Sequence, residues 1–430
     1  MRQITMEGTT NVNLTTSQRI KSIFAASSGN LVEWYDFYIY AFAAGYFIHD
    51  FSGSKNPTVA LIEAFAIFAL GFLMRPIGSW IFGYIGDKIG RKRSMIYSIV
   101  LMAISSLIIA IVPTKNIIGD WAMIILLIAR LLQGISVGGE YGVAATYMSE
   151  TATSGRRAFY SSFQYVTLIG GQFVAVLTVV ILEFIFSDST IREWAWRLLF
   201  AFGGILALLS LLIRTGMHES GTKETFEHKH SGSLKAVFID WRFLLIVFII
   251  AGAGSLAFYT YTIYTKTFLI DTVHMSETLS NRIMLIALFC LMLSQPLFGL
   301  FIDKIGRKAS LFIFAVASII CTWPIYYLLE KSGNNVYATF FIIIWMFIIL
   351  SMYASMAGVI KAELFPSHIR SLGTGLGHAL GNVIFGGTAS LIALEFKHLN
   401  MQNGFYIYCI IIFIILFITA FFFPKKTYLD

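Results

Sequence analysis

Twelve apolar runs, each long enough to cross a lipid bilayer, constrain this 430-residue chain more than any other feature. They fall at roughly 20–48, 59–86, 94–113, 120–148, 157–185, 194–214, 242–270, 281–302, 309–329, 336–364, 370–396 and 403–424. A hydrocarbon core about 30 Å thick takes ~20 helical residues to span. Lipid offers no hydrogen bonds, so a spanning segment must satisfy its own backbone as a helix or close into a barrel. The runs are too long for barrel strands and lack their alternation. The expected fold is therefore all-α and integral to the membrane, with twelve transmembrane helices. Only 13% of residues are charged against 57% hydrophobic, which leaves too little polar surface for a water-soluble domain of this size.

A hexapeptide then divides the chain. Asp87-Lys88-Ile89-Gly90-Arg91-Lys92 returns unchanged as Asp303-Lys304-Ile305-Gly306-Arg307-Lys308, half a chain length later and again between two apolar runs. Repetition at that distance predicts two six-helix halves on one plan, 20–214 and 242–424, joined by a linker at 215–241, with tails at 1–19 and 425–430. An acid and a base repeat as well: Glu150 precedes Arg156 and Arg157, and Glu363 precedes Arg370. Asp87, Arg91, Glu150 and Arg157, with Asp303, Arg307, Glu363 and Arg370, are thus expected to form two ion-pair clusters that hold one membrane face shut. The plainer alternative is a set of exposed topology markers, each pair worth about 0–1 kcal/mol.

The formal charge of +8 does not point to nucleic acid, because the Lys and Arg sit in short clusters on alternate connections between apolar runs. By the positive-inside tendency, both termini and both hexapeptides face the cytoplasm. Residues 1–18 have no apolar core and do not read as a signal peptide. His228-Lys229-His230 in the linker lacks a third metal ligand, and its lysine repels a cation, so a solvated linker is expected. The three cysteines lie inside apolar runs and suggest no disulfide framework. No nucleophile-base pair or metal set can be placed, so the chain does not read as an enzyme and calls for no cofactor.

Ionisable groups deep in a span are costly and usually functional. Arg75 lies twelve residues before Asp87, about 18 Å from the hexapeptide turn and near the midplane. Arg130 lies ~15 Å into the fourth run, and Glu33 and Asp36, one turn apart, ~20–24 Å into the first. Comparable depth predicts that these four groups pair around a polar cavity. Gln164, Tyr165, Gln172, Tyr259, Tyr261, Tyr264, Lys266, His378 and Asn382 are further candidates to line it. Glu140 reads as a lone buried carboxylate able to take and release a proton. Lys361, near the end of the tenth run, reads as a snorkelling lysine.

The stretch Gly83 to Ser94 resembles the loop between the second and third spans of the major facilitator superfamily, and Arg130 to Gly134 is similar to its second recurrent motif. Ser28 to Phe37, containing Glu33-Trp34-Tyr35-Asp36, and Arg130 to Gly142 resemble the metabolite:H⁺ symporter family. Tyr147 to Glu150, Phe163 to Gln172 and Lys361 to Pro366 look most like the branch of that family that carries α-ketoglutarate. The resemblance implies a bacterial inner-membrane carrier, acting in the lipid bilayer as a monomer, that moves a small organic anion and a proton by alternating access. Arg75 is expected to clamp the anion, with Arg130, Gln164, Tyr165, Tyr261, Lys266 and Asn382 around it, while Glu33, Asp36 and Glu140 couple the proton. Carriage of citrate or of zwitterions such as proline or betaine remains open on the same residues, Trp34 and Tyr35 being able to face a quaternary amine.

Overall fold

The computed structural model describes residues 15–54, 57–424 and 426–429. Residues 1–14 of the expected first tail, and 425 and 430 of the last, lie outside them.

Twelve long helices follow in order among the described residues. They are α1 Thr16–Phe47, α2 Pro57–Leu73 continued by Arg75–Lys88, α3 Arg91–Ile111, α4 Trp121–Thr151, α5 Arg157–Ile185 and α6 Asp188–Thr215. The second set is α7 Trp241–Asp271, α8 Glu277–Ile305, α9 Arg307–Ser332, α10 Val336–Ala362, α11 Ser367–His398 and α12 Gln402–Phe422. Side chains such as Phe184, Ile111, Leu297 and Phe422 stand exposed on the outside, the surface a bilayer would cover. α1, which carries Glu33 and Asp36, is instead mostly buried.

The hexapeptides are helix stops. Gly90 and Gly306 adopt φ of +139° and +90°, a backbone region that a Cβ atom disfavours, and so end α2 and α8 and turn the chain into α3 and α9. The motif acid falls in the last turn of the helix that stops there.

Besides a π-helical turn at Ile191–Ala195 early in α6, four irregularities near the site were not legible as apolar runs. α2 pauses at Met74. α7 and α11 each contain a π-helical turn, Thr260–Tyr264 and Asn382–Gly386, which rotates the side chains that follow. α10 unwinds between Ala354 and Val359, because Ser355 turns its hydroxyl to Gln295 of α8 and the Val359 N–H donates to Ser161 Oγ of α5.

Within the first half α1 packs on α5, and α3 on α4 and α6. The halves meet along α5 with α8, and along α2 and α4 with α11. The α4–α11 crossing needs glycine: a Cβ on Gly142 would stand 2.5 Å from the Gly375 Cα. The linker, expected to be solvated, packs back on the hexapeptide face. Its short helices Lys223–Glu227 and Leu234–Ile239 flank a turn where Ser231 Oγ donates to the Asp87 carbonyl at 2.6 Å and the Gly232 N–H donates to the His368 carbonyl at 2.8 Å. The first of these bonds satisfies a carbonyl in the last turn of α2 that would otherwise need water.

Candidate functional site

The hexapeptide face is closed by crossed contacts between the halves. Asp87, fully buried, accepts the N–H groups of Ser371 and Leu372 at 3.0 and 2.9 Å, in the first turns of the α11 core helix. Asp303 accepts those of Ala158 and Phe159 at 2.8 and 3.0 Å, the first turn of α5, which Arg157 opens. Each motif acid thus occupies the positive end of a helix in the other half. Glu150 gathers two cations, Arg91 at 3.2 Å from its own half and Arg370 at 2.7 Å from the other. Arg91 also meets Asp87 at 3.4 Å and donates to the Ser367 carbonyl at 2.6 Å. Arg307 pairs with Glu363 at 2.7 Å inside the second half. Linker residues missed by sequence reasoning complete the cluster: Glu219 accepts the N–H groups of Arg91 and Lys92, and Ser220 donates to Glu150 at 2.6 Å. Linear order carries no signal for them, because Glu219 and Ser220 follow the last turn of α6 and reach the start of α3 and Glu150 only in the folded chain.

Nearer the bilayer middle, two adjoining hollows share Trp34, His378 and Asn382. One adds Arg75, Val137, Gly138 and Tyr141; the other adds Tyr165, Ser255, Phe258 and Tyr259 among its walls. Arg75 starts the second segment of α2, is 3% exposed and donates from Nη1 to Asn382 Oδ1 at 2.7 Å. Asn382 heads the π turn of α11 and donates in turn to Ser255 at 3.1 Å. The rings of Phe72, Phe37 and Trp34 lie 4.0, 4.4 and 5.3 Å from the guanidinium carbon. Nε and Nη2, the outer edge of the fork, are buried without a hydrogen bond. A guanidinium held at one corner by an amide and at its faces by rings, with an edge left over, is arranged to take a carboxylate side-on.

The expected pairing of four midplane charges does not form. Arg130 donates to Gln133, one turn along α4, and Gln133 donates to Ser106 at 3.0 Å. Its guanidinium lies 4.2 Å from the Tyr40 ring and within the first half, away from the hollows. Both Asp36 oxygens are buried without a hydrogen bond, facing Ser106 and Arg130. Glu33 points elsewhere and accepts from Ser136 at 3.1 Å. Arg75 is turned to the second half by Asn382, which is why it cannot meet these acids.

Glu140 is not alone, as the sequence suggested. Arg214, the last residue of the expected first half, reaches back to grip it with both terminal nitrogens, and Ser98 donates to it at 2.8 Å. Arg214 also donates to the carbonyls of Met95 and Ala26, so one side chain ties α6 to α1, α3 and α4. Glu33 stands in the field of the same pair. The cause is convergence of four helices, invisible in linear order. Arg214→Met, which leaves Glu140 buried without its cation, is expected to cost about 3–5 kcal/mol. The readout is a lowered melting temperature in detergent, largely restored by adding Glu140→Gln; an unchanged value would refute a structural role for the pair.

The remaining candidates separate. Tyr165 lines a hollow. Gln164 donates to the Tyr141 carbonyl at 3.2 Å with its own oxygen unpartnered. Tyr261 turns into the second half, where its hydroxyl meets Thr322 of α9 at 2.8 Å, and Lys266 lies part-exposed further along α7. Neither lines the hollows, because the π turn at Thr260–Tyr264 redirects that face of α7. Lys361 does not snorkel: it is fully buried beside His378.

Comparison with known proteins gives a family described as sugar (and other) transporter, matched over residues 21–222 and again over 217–428. The chain is 46% identical over 411 residues to the alpha-ketoglutarate permease of Escherichia coli (strain K12), covering 96% of this chain and 95% of that protein. It is 30% identical to a citrate-proton symporter of Klebsiella pneumoniae, covering 87% and 85%, and 34% identical to a putative proline/betaine transporter of Staphylococcus haemolyticus (strain JCSC1435), covering 86% and 80%. In fold it matches the major facilitator superfamily proton:xylose symporter XylE with a TM-score of 0.75 at 19% identity, covering 97% of this chain and 99% of the other.

Proposed function

The chain belongs to the sugar (and other) transporter family of membrane carriers, and from that premise we propose that it carries α-ketoglutarate together with a proton into the cell. The observation that carries the substrate class is the free Nε–Nη2 edge of buried Arg75, a cation that meets no carboxylate among the described residues. A bound carboxylate supplies the missing charge and accepts both N–H groups, a gain realised only when an anion arrives. The hexapeptide face is assigned to the cytoplasm by its Lys and Arg, so substrate reaches Arg75 from the opposite side while the crossed caps and the Glu150 cluster keep the inner face shut. Opening inward then requires those contacts to break as the outer side closes, which is alternating access with the site near the fixed centre.

Asp36 is the proposed proton carrier, its two oxygens lacking donors and Arg130 standing near it. Asp36→Asn is expected to keep exchange of α-ketoglutarate across the membrane at equal concentrations but to lose accumulation driven by a proton gradient. Counterflow and gradient-driven uptake in proteoliposomes separate the two; full accumulation by the variant would remove Asp36 from the coupling path. Zwitterionic osmolytes are disfavoured because, of the two rings expected to face a quaternary amine, Trp34 already lies against Arg75, beside Phe37 and Phe72, and Tyr35 turns its hydroxyl to the Leu199 carbonyl. The deciding experiment is proton-driven uptake of labelled α-ketoglutarate, with dicarboxylates, citrate, proline and betaine as competitors. Dicarboxylates are expected to compete and betaine not to; the reverse order would overturn the reading.

A further inference from the structure

We propose that Lys361 is the second cation of the transport site, receiving the far carboxylate of a dicarboxylate whose near carboxylate sits on Arg75. This rests on the reading of Arg75 as the anion clamp.

Lys361 is fully buried, yet its ammonium meets no acid among the described residues. It donates to the hydroxyl of Tyr141 at 2.5 Å and of Tyr353 at 3.3 Å, and lies 3.3 Å from His378 Nδ1. The same two tyrosine rings stand 4.5 and 5.7 Å from it. Hydroxyls and ring faces offset only part of the cost of a buried charge, and an ionisable group kept at that cost inside a membrane protein marks a ligand path. The side chain is also held in place. It lies on Val359–Ala362, the short restart of α10 after its break, and the first N–H of that restart is bonded to Ser161 of α5 in the other half.

Its placement matches a ligand with two charged ends. Tyr141 and His378 stack at 3.4 Å, and both line the hollow that holds Arg75. Gly138 lies directly behind the Arg75 backbone, and Tyr141 is three residues further along α4, about 4.5 Å toward the hexapeptide face. The two cations are therefore offset by roughly one helical turn on opposite halves of the protein, with Tyr141 and His378 between them. A short diacid lying along this line would replace neutral partners of Lys361 with a carboxylate and link α2 to α10. A monocarboxylate or a zwitterion would satisfy Arg75 and leave Lys361 without a counter-charge. The selectivity for dicarboxylates thus resides in the second half, and the common affinity for carboxylates in the first.

The test compares α-ketoglutarate with α-ketovalerate, which lacks the far carboxylate, by equilibrium competition on purified full-length protein. Wild type is expected to prefer α-ketoglutarate by about 30- to 100-fold, the worth of one charge-assisted contact. Lys361→Gln should lose that preference by weakening α-ketoglutarate alone, with α-ketovalerate binding unchanged and so reporting an intact fold. If Lys361→Gln is not recovered from membranes, Lys361→Met provides the same comparison. A preference that survives in either variant, while Arg75→Lys weakens both ligands, overturns the Lys361 assignment and leaves the anion clamp standing. Failure of wild type to bind either ligand overturns both.

Discussion

Arg75→Lys is expected to lower the kcat/KM of α-ketoglutarate uptake by about 100- to 1000-fold, although the charge is kept. The guanidinium contributes through geometry: Nη1 is committed to Asn382 while Nε and Nη2 remain together as a flat edge. Two parallel charge-assisted bonds to one carboxylate are worth roughly 1.5–3 kcal/mol each. A lysine ammonium offers a point charge without that edge, and it would also surrender the stacking on Phe72 and Phe37. Initial-rate uptake at several substrate concentrations in proteoliposomes gives the comparison. Transport within about threefold of wild type would show that the edge is not where the carboxylate binds.

Glu150→Gln carries the second large effect, on the conformational equilibrium rather than on binding. One carboxylate oxygen accepts both Arg91 and Arg370, and the other accepts Ser220. Neutralising it leaves buried Arg370 without its carboxylate, while Arg91 keeps only Asp87, at a cost of about 3–5 kcal/mol. A bias of that size is enough to invert an equilibrium that favours the closed face by a few kcal/mol. A cysteine at Ser371, fully buried in the closed arrangement, should change from resistant to reactive toward a membrane-permeant maleimide, in a background without Cys290, Cys321 and Cys409. Uptake should fall at least tenfold because the inner face no longer closes. Resistance of that cysteine in Glu150→Gln would show that the cluster does not govern the gate.

These two residues also mark what linear order could and could not convey. Arg75 stood out because a charge twelve residues inside an apolar run has few structural excuses, and Glu150 because an acid-base pattern occurred once in each half. The twelve helices and their stops at Gly90 and Gly306 follow from run length and the repeated motif. Partnership was less legible. Arg214 was hidden by lying at a run's end, where a cation needs no explanation, and only the convergence of α1, α3, α4 and α6 gives it Glu140. Lys361 was hidden by the same logic, since nothing in an apolar pattern announces that α10 unwinds at Ser355 and turns the amine inward. Tyr261 and Lys266 were expected at the site only as polar side chains within an apolar run, and the π turn in α7 sets which way that stretch faces.

The crossed caps have one more consequence. Asp87 finishes the start of α11, and Asp303 finishes the start of α5, so each half supplies a part that the other lacks. The repeat is therefore not two self-sufficient copies placed side by side but a reciprocal exchange, in which neither copy is whole by itself. Descent from an ancestral pair of identical six-helix chains would leave this signature, because a symmetric dimer donates and receives the same group at once. Asp87, deeply enclosed and shared with Arg91, is the firmer of the two joints, while Asp303 has a partly exposed seat. An inherited symmetry of this kind constrains recombination: a half exchanged between relatives brings along one acid and one helix start, and both must suit a neighbour with which they did not evolve.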